Sequence, residues 1–218
     1  MSASVTVNHV TKTFRDVKAL DDVSLSFEAG QIHGIIGRNG SGKTVLLKCI
    51  CGLMSPTKGE ILIDGEPVKP GRAQNDIGVI IESPGFINTY SGLKNLTQLA
   101  ALRKRIDKEA VAKTMKLVGL DPNSKKAVGK YSLGMRQRLG LAQAIMEDPK
   151  LIILDEPMNG LDNQGVMDIR NILLQLKEEG KTILLASHSK EDIQVLCDTV
   201  CELDHGTLTT VGTAGLTE

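Results

Sequence analysis

The segment GRNGSGKT at residues 37–44 constrains the fold of this chain more than any other feature, because it fits the pattern G-x-x-x-x-G-K-[ST]. The apolar run IHGII (32–36) precedes it, and residues 43–53 follow with apolar side chains at helical spacing. The segment is therefore predicted to join a buried strand to a helix. Its glycines allow the backbone to wrap around phosphate groups with the N–H groups pointing inward. The positive N-terminal end of the helix favours the same anion.

Two side chains at the end of this phosphate loop have specific chemical roles. Lys43 is predicted to reach the β- and γ-phosphates of a nucleotide, and the Thr44 hydroxyl is predicted to ligate Mg²⁺. The rest of the loop supplies the other predicted nucleotide contacts, which are Gly37, Arg38, Asn39, Gly40, Ser41 and Gly42. A glycine turn without a ligand is the alternative, and the flanking strand and helix disfavour it. The sequence therefore predicts nucleotide binding.

A second segment, LIILDEP at 151–157, is an apolar strand that ends in two carboxylates. Such a strand brings Asp155 to the carboxyl edge of the sheet, where open α/β folds bind their ligands. Asp155 is then predicted to hold Mg²⁺ through water opposite Thr44, and Glu156 to polarise an attacking water as general base. Ordinary solvated carboxylates at a strand end are the alternative. The phosphate loop makes the catalytic interpretation the favoured one.

Apolar segments alternate with helical patterns along the chain, which predicts the α/β class with a mostly parallel sheet. The region from about 92 to 145 differs from this alternating pattern, because it has helical periodicity, many basic side chains and short turn segments. We interpret about 91–145 as a helical subdomain inserted into one domain whose α/β core comprises about 1–90 and 146–218. The predicted strands are VSLSF (23–27), IHGII (32–36), ILI (61–63), IGVII (77–81), the segment KLIILDEP (150–157), TILLAS (182–187) and a closing pair around 199–211. Further helices are predicted near 162–179 and 190–197.

The segment YSLGMRQRLGLAQAI (131–145) resembles the signature of the ATP-binding cassette (ABC) family, usually written L-S-G-G-Q and followed by a helix. Ser132, Gly134 and the helix N-terminus can form a second anion-binding surface. The resemblance implies that this surface contacts the γ-phosphate of ATP held by the opposite subunit. Two domains would then enclose two ATP molecules head to tail.

Other family elements follow in the expected order, so that the resemblance covers essentially the whole chain. NGLD (159–162) resembles the loop that crosses the dimer interface, with Asp162 as its key residue. His188 in ASHS stands where the family has a switch histidine that contacts the γ-phosphate. Phe14 stands where the family has an aromatic that stacks on adenine, although a packed core phenylalanine is the alternative. Lys43, Glu156 and His188 are the implied catalytic residues.

The resemblance implies a P-loop NTPase fold with a mostly parallel core sheet, an antiparallel N-terminal β portion and an inserted helical subdomain. It implies ATP and Mg²⁺ as ligands, a partner ATPase domain in a homodimer or heterodimer, and an integral membrane permease. The protein would then be cytoplasmic and peripheral on the inner face of the membrane. The alternative is a soluble cassette ATPase that acts on ribosomes or chromosomes. Such proteins carry two cassettes in one chain or a long coiled coil, and this sequence has neither.

Two segments depart from the usual family pattern. The loop after IGVII usually carries a glutamine that ligates Mg²⁺ and contacts the membrane subunit, and here Glu82 occupies this position. A carboxylate can still ligate a metal or order water, so Glu82 is predicted as a metal and nucleotide contact. Its negative charge near the triphosphate predicts slower turnover or altered coupling. The signature is also altered, because Leu133 replaces its first glycine and Met135 and Arg136 replace its final glycine and glutamine. Together these departures resemble the branch that serves bacterial peptide-antibiotic exporters of the bacitracin and lantibiotic type.

Composition narrows the remaining possibilities. The chain has 26 basic and 26 acidic residues, and this balance gives no long-range attraction for nucleic acid, so no nucleic-acid partner is expected. No apolar run approaches the roughly 20 residues that a membrane-spanning helix needs. The four cysteines form two close pairs, Cys49/Cys51 and Cys197/Cys201, which we predict to be buried, reduced and unpaired rather than zinc ligands.

Overall fold

The fold was obtained as a computed structural model, which describes residues 3–69, 71, 76–82 and 85–213. The strands in this part of the chain are β1 (Val5–Phe14), β2 (Val17–Phe27), β3 (Ile32–Ile36), β4 (Lys58–Ile63), β5 (Glu66–Pro67), β6 (Ile77–Ile80), β7 (Leu151–Asp155), β8 (Thr182–Ala186), β9 (Thr199–Asp204) and β10 (Thr207–Thr213). The helices are α1 (Lys43–Ile50), α2 (Gly92–Arg103), α3 (Lys108–Leu117), α4 (Leu133–Ile145), α5 (Asn163–Glu178) and α6 (Lys190–Leu196), with a short 3₁₀ turn at Val128–Lys130.

The larger sheet has six strands in the order β10-β9-β3-β8-β7-β6. Strands β9, β3, β8, β7 and β6 are parallel, and β10 pairs antiparallel with β9. Helices cover the sheet, so that strands such as β7 and β8 are buried on both faces and consist almost entirely of apolar residues. The carboxyl ends of β3, β6, β7 and β8 meet at one edge, because parallel strands run in the same direction. The predicted α/β fold class is confirmed.

The smaller sheet is antiparallel, with the order β2-β1-β4-β5. Its inner face, with Val5, Val7, Val23 and Ile61, packs against the same core as Leu46 and Leu47 of α1. This sheet is the antiparallel N-terminal portion that the resemblance implies. The sequence prediction missed β1, because register shifts near Val10 interrupt its pairing and its simple alternation.

Helices α2, α3 and α4 lie between β6 and β7 in the chain and share a core with the larger sheet. Side chains of Ser91, Asp107 and Ser132 cap their N-termini by accepting backbone N–H groups. The buried Asn95 of α2 accepts from the Ile87 amide at 2.8 Å and donates to the Ile87 carbonyl at 3.1 Å. It thereby fixes the loop that approaches α2 from β6. The limits of the subdomain as one unit stay a prediction.

Two expectations from composition concern membrane spans and cysteines. Among the helices in the described ranges, none is long and apolar enough to cross a membrane. The four cysteines are free and buried, so their predicted burial is confirmed. Burial raises the pKa of the Cys49 thiol to about 11 and the pKa values of Cys197 and Cys201 to about 12, so that all three are protonated at neutral pH.

Candidate functional site

The phosphate loop connects β3 to α1 through a backbone that only glycine accommodates. Gly37 has a φ of 147°, and a Cβ there would lie 2.3 Å from the Leu203 carbonyl oxygen. Gly42 has a φ of 107°, and its Cβ would lie 2.6 Å from the Ala19 carbonyl oxygen. Gly42 precedes α1 and provides no side-chain cap. The first N–H groups of the helix therefore remain available for a bound anion.

Lys43 folds back over the loop and is only 7% exposed. Its ammonium donates to the carbonyl oxygen of Gly37 at 2.6 Å and to that of Arg38 at 3.2 Å. The Ser41 hydroxyl is buried and has no hydrogen-bond partner within the described part of the chain. Such an unpaired group costs about 1–3 kcal/mol, and a phosphate in the loop would offer it a partner. These groups fit a nucleotide phosphate.

Thr44 lies in the first turn of α1 and faces the end of β7. Its hydroxyl donates to Asp155 Oδ2 at 2.6 Å. A hydroxyl and a carboxylate are oxygen ligands of the kind that Mg²⁺ prefers, alongside water and phosphate oxygens. The described residues contain no group of three or more His, Cys, Asp or Glu side chains that could hold a metal by themselves. The site thus fits Mg²⁺ that is held jointly with nucleotide phosphates.

Glu156 directly follows Asp155 and meets His188 after β8. Glu156 Oε2 lies 2.8 Å from His188 Nδ1, and the two side chains are 21% and 66% exposed. The backbone of Glu156 is left-handed (φ 51°), and its amide donates to the Ala186 carbonyl at 2.9 Å. Gln137 Nε2 of α4 donates to the Glu156 carbonyl at 3.2 Å. Contacts from α4 and β8 therefore fix the predicted general base.

These groups surround one cleft of about 570 Å³. Its lining includes the predicted residues Asn39, Gly40, Ser41, Gly42, Lys43, Thr44, Glu82, Asp155 and Glu156, together with Ala19, Val45, Leu133, Gln137 and Asn159. A neighbouring hollow of about 400 Å³ is lined by Gly37, Arg38, Asn39, Glu156, Asn159 and His188. The structure therefore brings the predicted phosphate, metal and general-base residues together.

Other predicted residues lie outside the cleft lining. Ser132 caps α4 by accepting the Met135 amide at 3.2 Å, and Asp162 caps α5 by accepting the Gly165 amide at 2.8 Å. A Cβ on Gly134 would lie 3.2 Å from the Gly160 carbonyl oxygen, so α4 packs closely on the loop before α5. The resemblance assigns Ser132, Gly134 and Asp162 to an interface with a second domain, and this assignment stays a prediction.

Phe14, the predicted adenine platform, ends β1 and is 44% exposed. It does not contribute to the cleft lining as the described residues form it. The Lys12 ammonium lies 5.1 Å from the centroid of its ring. An exposed ring does not fit the alternative of a packed core phenylalanine, and stacking on adenine stays a prediction.

Glu82 lines the cleft from the end of β6 with a left-handed backbone (φ 60°). Its carboxylate pairs with Lys48 of α1 at 2.6 Å. The sequence analysis missed Lys48 and Gln137 as residues of the site. Lys48 could have been found from its spacing, because it lies four residues after Thr44 on the same helix.

Arg138 connects helix α4 to the segment after α3 and to helix α5. Arg138 of α4 donates to the Val118 carbonyl at 2.9 Å and to Asp168 of α5 at 2.9 Å. The hydrogen bonds that Arg138 and Gln164 donate to Asp168 lower the pKa of its carboxyl group. The signature helix α4 is therefore tied to α5, which begins directly after Asp162.

Comparison with known proteins gives consistent results. The family model for the ABC transporter matches residues 20–159. An uncharacterised ABC transporter ATP-binding protein, YybJ of Bacillus subtilis (strain 168), is 42% identical over 94% of this chain and 95% of its own length. The bacitracin transport ATP-binding protein BcrA of Enterococcus faecalis is 38% identical over 95% of this chain and 68% of its own. Among solved structures, the dimeric structure of MJ0796, a bacterial ABC transporter cassette, is 25% identical with a TM-score of 0.87, covering 96% of this chain and 98% of that one. The chain therefore belongs to the ABC transporter family, as an ATP-binding subunit.

Proposed function

We propose that this chain binds and hydrolyses ATP between two such domains and thereby drives export through a separate membrane permease. The observation that carries the proposal is the meeting of the phosphate loop with the end of β7, where Thr44 contacts Asp155 at 2.6 Å. Glu156, the next residue, lies 2.8 Å from His188. Phosphate, metal and water-activating groups therefore share one cleft, as hydrolysis of a nucleotide requires.

Each of these residues has a definite role in the proposed reaction. The α1 N-terminus and Lys43 bind the β- and γ-phosphates, and Lys43 exchanges its bonds to the loop carbonyls for bonds to phosphate oxygens. Thr44 and Asp155 would hold Mg²⁺, which, when bound, neutralises charge that develops on the phosphates. Glu156 accepts a proton from the attacking water. His188 orients Glu156 and contacts the γ-phosphate.

Ser132, Gly134 and Asp162 would complete the site from a second domain. They lie outside the cleft lining of their own chain, which supports a role toward a partner's nucleotide. ATP then favours the closed pair because it contacts both domains only in that state. Hydrolysis removes this preference and reopens the pair.

The permease is proposed to dock beside the helical segment. A groove of about 280 Å³ lies between β6 and helices α2 and α4. The side chain of Leu102, which lines this groove, is 80% exposed. The groove offers a concave surface at which a segment of the permease can dock.

The proposed cargo of the transporter is a peptide antibiotic. Relatives named as bacitracin transport ATP-binding proteins match 95% of this chain at 38% identity in two organisms. The Glu82 loop and the altered signature at Leu133 support the same branch. Co-purification in mild detergent tests this part of the proposal, with a polytopic membrane protein as the expected partner. Recovery of ribosomes or DNA instead would favour a soluble cassette ATPase.

Substitution Glu156→Gln tests the sandwich mechanism. A glutamine keeps the shape of the side chain but cannot accept the proton, so ATP should accumulate and hold two chains together. Light scattering at saturating ATP should then report a dimer, and ATP hydrolysis should fall by about 100-fold or more. The matched control is Glu178→Gln, which changes an exposed glutamate at the end of α5 and should leave both measurements unchanged. A monomeric Glu156→Gln variant at saturating ATP would contradict the mechanism.

A further inference from the structure

The ion pair between Lys48 and Glu82 joins the phosphate-loop helix to the loop that follows β6. Lys48 Nζ lies 2.6 Å from Glu82 Oε1, and the two side chains are 25% and 67% exposed. Glu82 is held with a left-handed backbone (φ 60°), a conformation that non-glycine residues adopt infrequently. The pair therefore fixes the direction of a carboxylate whose backbone alone would not favour this position.

The placement of Lys48 on α1 connects this pair to the proposed metal site. Thr44 and Lys48 are four residues apart in the same helix and lie on one face, one turn apart. Thr44 contacts Asp155 at the end of β7, and Lys48 contacts Glu82 at the end of the adjacent strand β6. The same helical face thus holds two of the three carboxylates that line the cleft, Asp155 and Glu82.

The charge of Lys48 also changes the electrostatics of the site. Glu82 alone would repel the triphosphate and attract a divalent cation, and a neutral glutamine would do neither. The ammonium cancels the charge of the carboxylate and occupies its Oε1 atom. The ion pair therefore has no net charge, and its long-range electrostatic effect is close to that of a neutral side chain. If the pair breaks, the Glu82 carboxylate becomes free to bind a cation.

We propose that Lys48 is a positioning residue that neutralises Glu82 and restrains its carboxylate at the metal edge of the nucleotide site. This inference rests on the proposed function, because it assigns Lys48 a role toward Mg²⁺ and ATP. The ion pair with Lys48 determines how strongly the Glu82 carboxylate attracts the divalent cation. It thereby allows a glutamate where the family usually has a glutamine.

The test measures binding of Mn²⁺, as a probe for Mg²⁺, to the complex with a non-hydrolysable ATP analogue, using the electron paramagnetic resonance signal of free Mn²⁺. Lys48→Met keeps the aliphatic stem and releases Glu82, so Mn²⁺ should bind about 2- to 5-fold more tightly, the size expected for a partly exposed ion pair. In the Glu82→Gln background the same substitution should change Mn²⁺ binding by less than about 2-fold. Lys48→Arg should restore the behaviour of the unmodified chain.

The control is Lys116→Met, which removes an equal charge from an exposed position on α3 and should leave Mn²⁺ binding unchanged. Thermal unfolding of each variant shows whether it is folded. Equal effects of Lys48→Met in both backgrounds, or failure of Lys48→Arg to restore binding, would overturn the inference while ATP binding and the proposed function survive. A folded, unmodified chain that bound no ATP would overturn the proposed function, and the role of Lys48 with it.

Discussion

The adjacent parallel strands β6 and β7 are each followed or ended by a carboxylate. The two carboxylates look alike in the sequence, but the structure gives them different hydrogen-bond partners. Asp155 at the end of β7 accepts a hydrogen bond from the Thr44 hydroxyl, and Glu82 after β6 pairs with the Lys48 ammonium. Both partners come from one face of α1. A hydroxyl can turn toward a metal and ligate it together with Asp155, whereas an ammonium can only neutralise and restrain Glu82. The partner on α1 therefore determines what each carboxylate can do.

The largest effect is expected from Asp155→Asn, which keeps the shape of the side chain and removes its charge. Mg²⁺-dependent ATP hydrolysis should fall by about 100-fold or more, because the metal loses its charged ligand beside the phosphates. ATP binding without Mg²⁺ should change little. Steady-state hydrolysis and a filter assay for bound ATP measure the two quantities. Loss of both to the same extent would indicate misfolding instead.

Thr44→Val should have the next largest effect, since valine keeps the volume and removes the hydroxyl. Mn²⁺ affinity of the nucleotide complex should fall roughly 10- to 100-fold, as when a group that supports or ligates a metal is lost. Thr44→Ser retains the hydroxyl and should stay close to the unmodified chain. If the valine variant bound Mn²⁺ normally, the two strand ends would not differ in the way proposed.

Glu82→Gln should have a smaller effect, because Lys48 already cancels most of the charge that the substitution removes. The hydrolysis rate should rise by about 2- to 5-fold, in the direction expected if the carboxylate slows turnover. Steady-state kinetics at saturating ATP and Mg²⁺ measures this change. A fall as large as that of Asp155→Asn would show that Glu82 is an essential metal ligand, and the two strand ends would then be equivalent.

The smallest expected effect concerns the opposite face of α1, which buries Cys49 in the core. Burial raises the pKa of Cys49 to about 11, so the reactive thiolate is scarce at neutral pH. Iodoacetamide at pH 7.5 should leave Cys49 unmodified in the folded protein and modify it fully in guanidinium chloride. Mass spectrometry of the peptides measures both results. Rapid labelling of the native protein would show that α1 is not held firmly enough to present Thr44 and Lys48 as a fixed pair.

The phosphate loop and the strand bearing Asp155 and Glu156 could be predicted from the sequence, because their chemistry lies in contiguous residues. Glycines at fixed positions and an apolar run before two carboxylates determine local structure without help from distant segments. The predicted β3 and β8 agree with the structure within one residue, and β7 begins where the predicted LIILDEP strand begins but ends two residues earlier. Strand β1 was missed, because its irregular register depends on pairing with β2 and β4, which local sequence does not reveal.

Contiguous residues therefore suffice to predict the α/β fold class, the phosphate loop and the carboxylates after β7, and the resemblance predicts the family. The three-dimensional packing is needed to show which side chains contact each other, such as Glu156 with His188 at 2.8 Å and Glu82 with Lys48 at 2.6 Å. These pairs are 32 and 34 residues apart in the chain. Their contact depends on the order of the strands in the sheet and on the rotation of α1. Both are set by packing of the whole core, so helical spacing places Lys48 beside Thr44 but does not reveal its contact with Glu82.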